Sequence, residues 1–189
     1  MPVADEQDIE GHFSAQYTVP EPAAAAEALR DIDRLGEIGI ASLKERGYFT
    51  RVVVPGEGPA RRLLDPSRVR VLVVEDDDGT AALIEKTLHS GRLRTLRARN
   101  RLEIGRALAA KPLPHLVLLD VMLADANGFD VLNRIRQHPA LAALPVLMLT
   151  SLGERKDVAR GLQLGASGYL TKPVLPSTLL QAVETLIGG

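Results

Sequence analysis

Short runs of consecutive apolar residues recur along the chain from residue 68 onward. Unbroken apolar runs of this length are typical of strands buried on both faces, as in parallel sheets. One weaker run lies between the first two strong ones. The predicted strands are 69–74, 94–98, 115–120, 144–150 and 167–171.

The segments between these strands carry apolar residues at the three- and four-residue spacing of amphipathic helices. In the last segment Leu179, Val183 and Leu186 share one face, and Pro176 suits a first helical turn. The predicted helices are 79–90, 129–137, 157–164 and 176–187. This alternation predicts an α/β fold, a doubly wound five-stranded parallel sheet in the order 2-1-3-4-5.

Residues 1–67 have a different pattern and predict a small N-terminal α+β extension. About the first twenty residues are acidic with little apolar periodicity, so we expect a mobile start. Helices are predicted across about 20–46. A break is expected at Gly36 and Gly39, because glycine destabilises a helix interior.

A β-hairpin around a Pro/Gly turn is predicted for about 48–64, and a linker for 64–68. The core domain is then 68–189. The helix and hairpin faintly resemble the end of a winged-helix domain, which makes a DNA-binding output one alternative. The extension carries 12 acidic and 7 basic residues, a balance that disfavours DNA.

Composition excludes several classes of function. The chain has no cysteine, which excludes disulfides, thiolate zinc sites and cysteine nucleophiles. No apolar run approaches the roughly 20 residues that span a bilayer, and the N-terminus lacks a signal-peptide pattern. We therefore expect a soluble cytoplasmic protein without membrane contact.

Acidic side chains follow two of the predicted strands directly. Glu75 and Asp76 come after the first strand, and Asp120 ends the third. In the order 2-1-3-4-5 these strands are neighbours, at the point where ligands bind beyond the carboxyl ends of parallel strands. The three carboxylates therefore converge. Oxygen donors without histidine or cysteine suit Mg²⁺, so the sequence predicts a magnesium site there.

Other polar groups are expected along the same edge. Thr150 and Ser151 follow the fourth strand, and Lys172 follows the fifth. A carboxylate, a divalent cation, a hydroxyl and a lysine can hold a phosphoryl group, because the cations offset its negative charge. Asp120, nearest the centre, is the candidate nucleophile that would form an aspartyl phosphate.

Four motifs in this order resemble the receiver domain of two-component response regulators: VLVVEDD, LVLLDVML, PVLMLTS and GASGYLTKP. Each lies at a strand end, and the resemblance covers about 120 residues, 69–189. It implies a flavodoxin-like, CheY-like fold. It also implies a phosphoacceptor switch with self-catalysed phosphorylation and dephosphorylation, rather than an enzyme that acts on outside substrates.

The resemblance also assigns the metal ligands. Glu75 and Asp76 match the family's acidic pair, Asp120 completes the site, and Met122 would offer its backbone carbonyl to Mg²⁺. Two further acids follow the pair. We expect Asp77 at the mouth of the pocket and Asp78 as the cap of the first helix of the core domain.

The remaining roles concern the phosphoryl group and the switch. Asp120 matches the phosphoacceptor, and Thr150 and Lys172 match the groups that assist it. Thr150 and Tyr169 match the switch pair, and a cis peptide bond is implied before Pro173.

A sensor histidine kinase or a phosphotransfer protein would supply the phosphoryl group. Phosphorylation would shift a pre-existing equilibrium, in which Thr150 moves toward the phosphoryl group and Tyr169 packs inward. The face of the fourth helix, fifth strand and fifth helix would then bind a downstream protein or a second copy.

Two alternatives remain besides a DNA-binding regulator. One is a pseudo-receiver that binds partners without phosphorylation. The other is a phosphatase of the aspartate-nucleophile type, which needs a second acid two residues after the nucleophile. Met122 stands at that position, so we rank the phosphatase low.

Overall fold

The computed structural model describes residues 26–50, 65–151 and 155–188. Six strands form one sheet: β1 (Tyr48–Thr50), β2 (Arg70–Val74), β3 (Arg94–Ala98), β4 (Leu116–Asp120), β5 (Val146–Ser151) and β6 (Gly168–Lys172). The helices are α1 (Ala26–Arg46), α2 (Asp78–Ser90), α3 (Arg101–Ala109), α4 (Gly128–Gln137), α5 (Arg155–Gln163) and α6 (Pro176–Gly188).

The strands lie in the order β1-β6-β5-β4-β2-β3. The five strands from β2 onward are parallel, and their order confirms the predicted 2-1-3-4-5 arrangement. The strand β1 lies at the start of the predicted hairpin, but the sequence did not predict that it joins this sheet, where it pairs antiparallel with β6. Adjacent β2 and β4 bring the ends of the first and third predicted strands side by side.

Helices cover both faces of the sheet, which explains why its central strands β2, β4 and β5 are mainly apolar. Leu72 and Leu119 point into one buried cluster together with residues of α3, α4 and α5. Val71 and Leu118 point into the opposite cluster, with residues of α2 and α6. Successive side chains of a strand alternate between faces, so each central strand feeds both clusters.

Short polar side chains cap the helices that begin near the carboxyl ends of the strands. The Oδ1 atom of Asp77 accepts a hydrogen bond from Thr80 N at 2.7 Å, so Asp77 caps α2 and the expectation for Asp78 was wrong. Asn100 caps α3 through Glu103 N at 2.9 Å. The sequence pattern gave no bounds for α3, since its Leu102 is exposed and Gly105 interrupts its helical propensity.

Helix α1 runs without interruption from Ala26 to Arg46, so the break predicted at Gly36 and Gly39 was wrong. A Cβ atom on Gly39 would lie 3.1 Å from Val158 and 3.3 Å from Phe49. The helix therefore tolerates glycine there because the missing side chain lets α1 approach its neighbours closely. The predicted mobile start and the part of the first helix before Ala26 lie outside the described residues.

The chain turns from α1 into β1 at Gly47, whose φ of 77° is in the left-handed region. The Gly47 carbonyl accepts hydrogen bonds from Thr171 N at 2.9 Å and from Thr171 Oγ1 at 3.1 Å. These bonds fasten the turn to β6. The second strand of the predicted hairpin lies outside the described residues, and the predicted linker contains a short 3-10 helix, Pro66–Arg68.

Among the described residues, no helix is both long and apolar enough to cross a membrane.

Replacing Gly47 by alanine should lower the free energy of unfolding by about 1–2 kcal/mol, because a left-handed backbone is costly for a residue with a Cβ atom. Urea denaturation would measure the change. Gly79→Ala is the matched control: Gly79 lies within α2, and its added Cβ would meet only Asp77 Oδ1, at 3.4 Å. This control should raise the free energy of unfolding by about 0.4–1 kcal/mol. Equal changes in both variants would contradict the role of Gly47.

Candidate functional site

The polar site lies where β2, β4, β5 and β6 end. Glu75 directly follows β2, Asp120 ends β4, and Lys172 ends β6. Asp120 lies opposite Leu149 of β5, and Ser151 of β5 lies opposite Lys172. The parallel register therefore carries residues more than 90 positions apart in the sequence to one edge of the sheet.

Three carboxylates meet at this edge. One oxygen from each of Glu75, Asp76 and Asp120 lies within 4.8 Å of the other two. Glu75 and Asp120 are buried, and Asp76 is half-buried. Buried carboxylates at this spacing repel one another, so the cluster requires positive charge.

Lys172 supplies part of that charge. Its Nζ atom lies 2.6 Å from Asp120 Oδ2 and 2.7 Å from Glu75 Oε2. One lysine beside three carboxylates leaves the cluster negative. The donor set consists of hard oxygen atoms, which is the chemistry that suits Mg²⁺. The residues therefore fit the metal that the sequence predicts.

The pKa values of two groups reflect this environment. Burial raises the pKa of Glu75, and the nearby Asp120 raises it further, while the hydrogen bond with Lys172 opposes the rise only in part. Burial alone would lower the pKa of Lys172, but its bonds to Asp120 and Glu75 outweigh that effect and raise it. Lys172 therefore stays charged over the whole neutral range.

Backbone amides orient the three carboxylates. Asp77 N donates to Glu75 Oε1 at 3.2 Å, Met122 N donates to Asp120 Oδ1 at 3.1 Å, and Ala124 N donates to Asp76 Oδ2 at 2.8 Å. The last bond joins the loop after β2 to the loop after β4. Sequence reasoning did not find these donors, because any residue except proline offers the same amide.

Gly128 lets the loop after β4 fold back over the site. Its N–H donates to Val121 O at 2.9 Å. A Cβ atom on Gly128 would collide with the carbonyl oxygen of Asp120 and would lie 2.8 Å from Val121 Cα. Both obstacles are backbone atoms, so only glycine fits where α4 begins.

The two predicted switch residues lie farther along the same sheet. The Thr150 hydroxyl is buried and donates to the Ser151 carbonyl at 3.3 Å. Tyr169 is almost completely buried, and its hydroxyl donates to Val158 O at 3.2 Å. A Cβ atom on Gly161 would collide with that hydroxyl, so α5 accommodates the ring only because residue 161 has no side chain.

The structure thus brings Glu75, Asp76, Asp120 and Lys172 together. Met122 reaches the cluster through its N–H, while its side chain is 74% exposed, and the metal-binding role of its carbonyl stays a prediction.

Three other expectations concern neighbours of the cluster. Asp78 forms an ion pair with Arg97 at 2.7 Å. Asp77 is exposed and caps α2, and its place at the pocket mouth stays a prediction. The Lys172–Pro173 peptide bond is cis, as the resemblance implies.

A family model described as the response regulator receiver domain matches residues 71–184, and the chain belongs to this family. The DNA-binding dual master transcriptional regulator RpaA of Synechocystis is 36% identical over 118 residues, which cover 62% of this chain and 48% of that protein. Protein PilH of Pseudomonas aeruginosa is 32% identical over 64% of this chain and 98% of its own. The chain spans about half the length of the transcriptional regulators that it matches.

Solved structures show the same fold. The chemotaxis protein CheY4 of Vibrio cholerae is 26% identical with a TM-score of 0.58, covering 62% of this chain and 98% of that one. The receiver domain of a sensor histidine kinase from Pseudomonas aeruginosa is 25% identical with a TM-score of 0.58. The match covers 64% of this chain and 98% of that one. That structure has a magnesium ion coordinated in its active site cleft.

Magnesium should stabilise the protein through the three carboxylates. At a free magnesium concentration 100 times its Kd, we expect the free energy of unfolding to rise by about 2.7 kcal/mol. Asp76→Asn should remove most of this increase, because it takes away a charged ligand. Asp125→Asn is the matched control, since Asp125 is exposed and accepts a hydrogen bond from Arg101 N outside the cluster. An equal magnesium response in the two variants would place the metal elsewhere.

The buried phenol of Tyr169 should make stability depend on alkaline pH. Burial raises the pKa of Tyr169, so above its usual value of about 10 the unfolded chain releases a proton that the folded protein retains. The free energy of unfolding of the wild type relative to Tyr169→Phe should be constant below pH 10 and fall by roughly 1.4 kcal/mol per unit above it. Urea denaturation across this range would measure the difference, and a difference independent of pH would refute the assignment.

Proposed function

We propose that the chain is a two-component signal-transduction response regulator that accepts a phosphoryl group on Asp120. The observation that carries the proposal is the position of the Asp120 carboxylate, buried between Lys172 and two further acids. Lys172 and the acid cluster together match what phosphoryl transfer needs, which is positioning and charge stabilisation.

The donor would be the phosphohistidine of a sensor histidine kinase or phosphotransfer protein. A carboxylate oxygen of Asp120 attacks the phosphorus, a P–O bond forms, the P–N bond breaks, and the imidazole leaves with the electron pair. The Met122 N–H and the Lys172 ammonium hold the two oxygens of Asp120 at 3.1 and 2.6 Å. These bonds fix the direction of the carboxylate before the donor arrives.

Glu75, Asp76 and Asp120 would hold Mg²⁺, which when bound offsets the negative charge of the carboxylates and the phosphoryl group. The charged Lys172 would neutralise part of the charge on a phosphoryl oxygen. The Thr150 hydroxyl would leave the Ser151 carbonyl and donate to another phosphoryl oxygen. Each step uses a group that is already at or beside the edge of the sheet.

The phosphoryl group would later leave by hydrolysis, in which water attacks phosphorus and regenerates the Asp120 carboxylate. The chain would thus act as a self-modifying switch and not as an enzyme with an outside substrate. An aspartate-nucleophile phosphatase would need an acid in place of Met122, whose exposed side chain is apolar. A cytoplasmic location remains a prediction.

Nothing in the described residues favours a winged-helix output. The strand that would open its wing, β1, is instead part of the receiver sheet. RpaA is a DNA-binding regulator about twice as long as the segment it shares with this chain, so its activity does not transfer to these residues. A phosphorylation-independent pseudo-receiver would retain the fold and would use the Lys172–Asp120 pair only as a structural ion pair.

Intact-protein mass spectrometry tests the proposal directly. Incubation with a small acyl phosphate and Mg²⁺ should add one phosphoryl group to the full-length wild type and none without the metal. Asp120→Asn should remain unmodified. Asp130→Asn, at an exposed position in the first turn of α4, should be modified like the wild type.

Two results would contradict the proposal. One is a folded wild type that stays unmodified with Mg²⁺, which would favour the pseudo-receiver. The other is an adduct that survives in Asp120→Asn, which would place the phosphoryl group on another residue.

A further inference from the structure

The N-terminal extension covers the face of the receiver on which the sequence predicts a partner or a second copy to bind. That face consists of α5, β6 and α6, and we call it the α5–β6–α6 face. Helix α1 packs against α5, and β1 adds a strand to the outer edge of β6. Within the described residues, the extension is thus an integral layer of the fold.

Apolar contacts and backbone bonds hold this layer. Phe49 of β1 lies directly opposite Tyr169 of β6, and both side chains belong to the same buried cluster as Leu43 and Val158. The Ser42 hydroxyl donates to Tyr48 O at 3.0 Å, which ties β1 back to α1. Helix α1 and strand β1 therefore dock as one unit, which we call the α1–β1 unit.

The receiver itself leaves space for this unit. A Cβ atom on Gly168 of β6 would collide with Phe49 O and would lie 3.0 Å from Thr50 Cα. On the other side of the contact, Gly39 leaves room for Val158 and Phe49. Glycines on both surfaces thus permit an approach that side chains would prevent.

The α1–β1 unit also bears on the predicted switch. Tyr169 is buried against α5, with Phe49 as its cross-strand neighbour, whereas the Thr150 hydroxyl is bonded to Ser151 O. Tyr169 is therefore already packed inward, although the Thr150 hydroxyl is still bonded to the neighbouring backbone carbonyl. The extension adds Phe49 to the buried cluster that encloses Tyr169.

We propose that the α1–β1 unit is the internal partner of the α5–β6–α6 face, and that its docking and phosphorylation of Asp120 favour the same buried position of Tyr169. The proposal rests on the proposed phosphoacceptor function. Two events that favour one state strengthen each other by the same factor. Phosphorylation would then close this face more firmly, and a separate protein would bind it best in the unphosphorylated chain.

Hydrogen exchange on the full-length protein tests the direction of this coupling. The probe is beryllofluoride with Mg²⁺, a noncovalent analogue of the phosphoryl group. Amides in 47–50 and 168–171 should exchange more slowly when the analogue is bound. Exchange that stays the same or becomes faster there, in protein that has bound the analogue, would overturn the proposal.

Substitutions test the reverse direction. Gly168→Ala should push β1 off β6, and Phe49→Ala should loosen it without changing any receiver residue. Each should weaken beryllofluoride binding by roughly 5-fold or more, the usual lower range for coupled sites. Gly79→Ala is the matched control, because its Cβ would make only an ordinary contact with Asp77 Oδ1 at 3.4 Å, and it should bind like the wild type.

The outcomes separate the two proposals. A wild type that binds the analogue and accepts a phosphoryl group, combined with unchanged binding in both undocked variants, would overturn only the internal-partner proposal. Faster exchange in 47–50 would verify that the variants are undocked, and circular dichroism would verify that the receiver is folded. A wild type that neither binds the analogue nor accepts a phosphoryl group would overturn the phosphoacceptor function, and the coupling with it.

Discussion

The ion pairs of Lys172 with two buried carboxylates are the interaction on which the site depends. Asp120 and Glu75 end neighbouring strands, and a parallel sheet cannot separate them without changing its register. Burying an unpaired carboxylate costs several kcal/mol. The lysine at the end of β6 reduces that cost while leaving the cluster negative, and this residual charge makes the edge of the sheet receptive to a cation.

Much of this arrangement could be predicted, because strand ends are visible in the sequence. The runs before Glu75 and Asp120 are continuous and apolar, the run before Lys172 is shorter and mixed, and the parallel topology places the ends of all three strands at one edge. The geometry of the loop after β2 was harder to predict from the sequence. Asp77 and Asp78 are adjacent acids with equal capping propensity, and only the fold shows that Arg97 of β3 lies where it pairs with Asp78.

The N-terminal extension shows a different limit of sequence reasoning. Gly39 looks like a helix breaker when α1 is considered alone, and it becomes a packing position only once α5 and β1 lie beside it. The pairing of β1 with β6 joins residues about 120 positions apart, which no local pattern encodes. Gly168 was the available signal, since an isolated glycine in a strand often marks a close backbone approach.

The order of the strands also bears on solubility. A sheet that is not closed has two edges, and exposed edges invite pairing with other chains. Within the part of the chain that the structure describes, one edge is β1, with three residues, and the other is β3, which carries Arg94 and Arg97 among its five residues. A very short strand and a positively charged one are both poor templates for strand addition. The extension that lengthens the fold at one side therefore also covers the edge of β6 along its three buried residues, Gly168, Tyr169 and Leu170, and removes that edge as a site for strand addition.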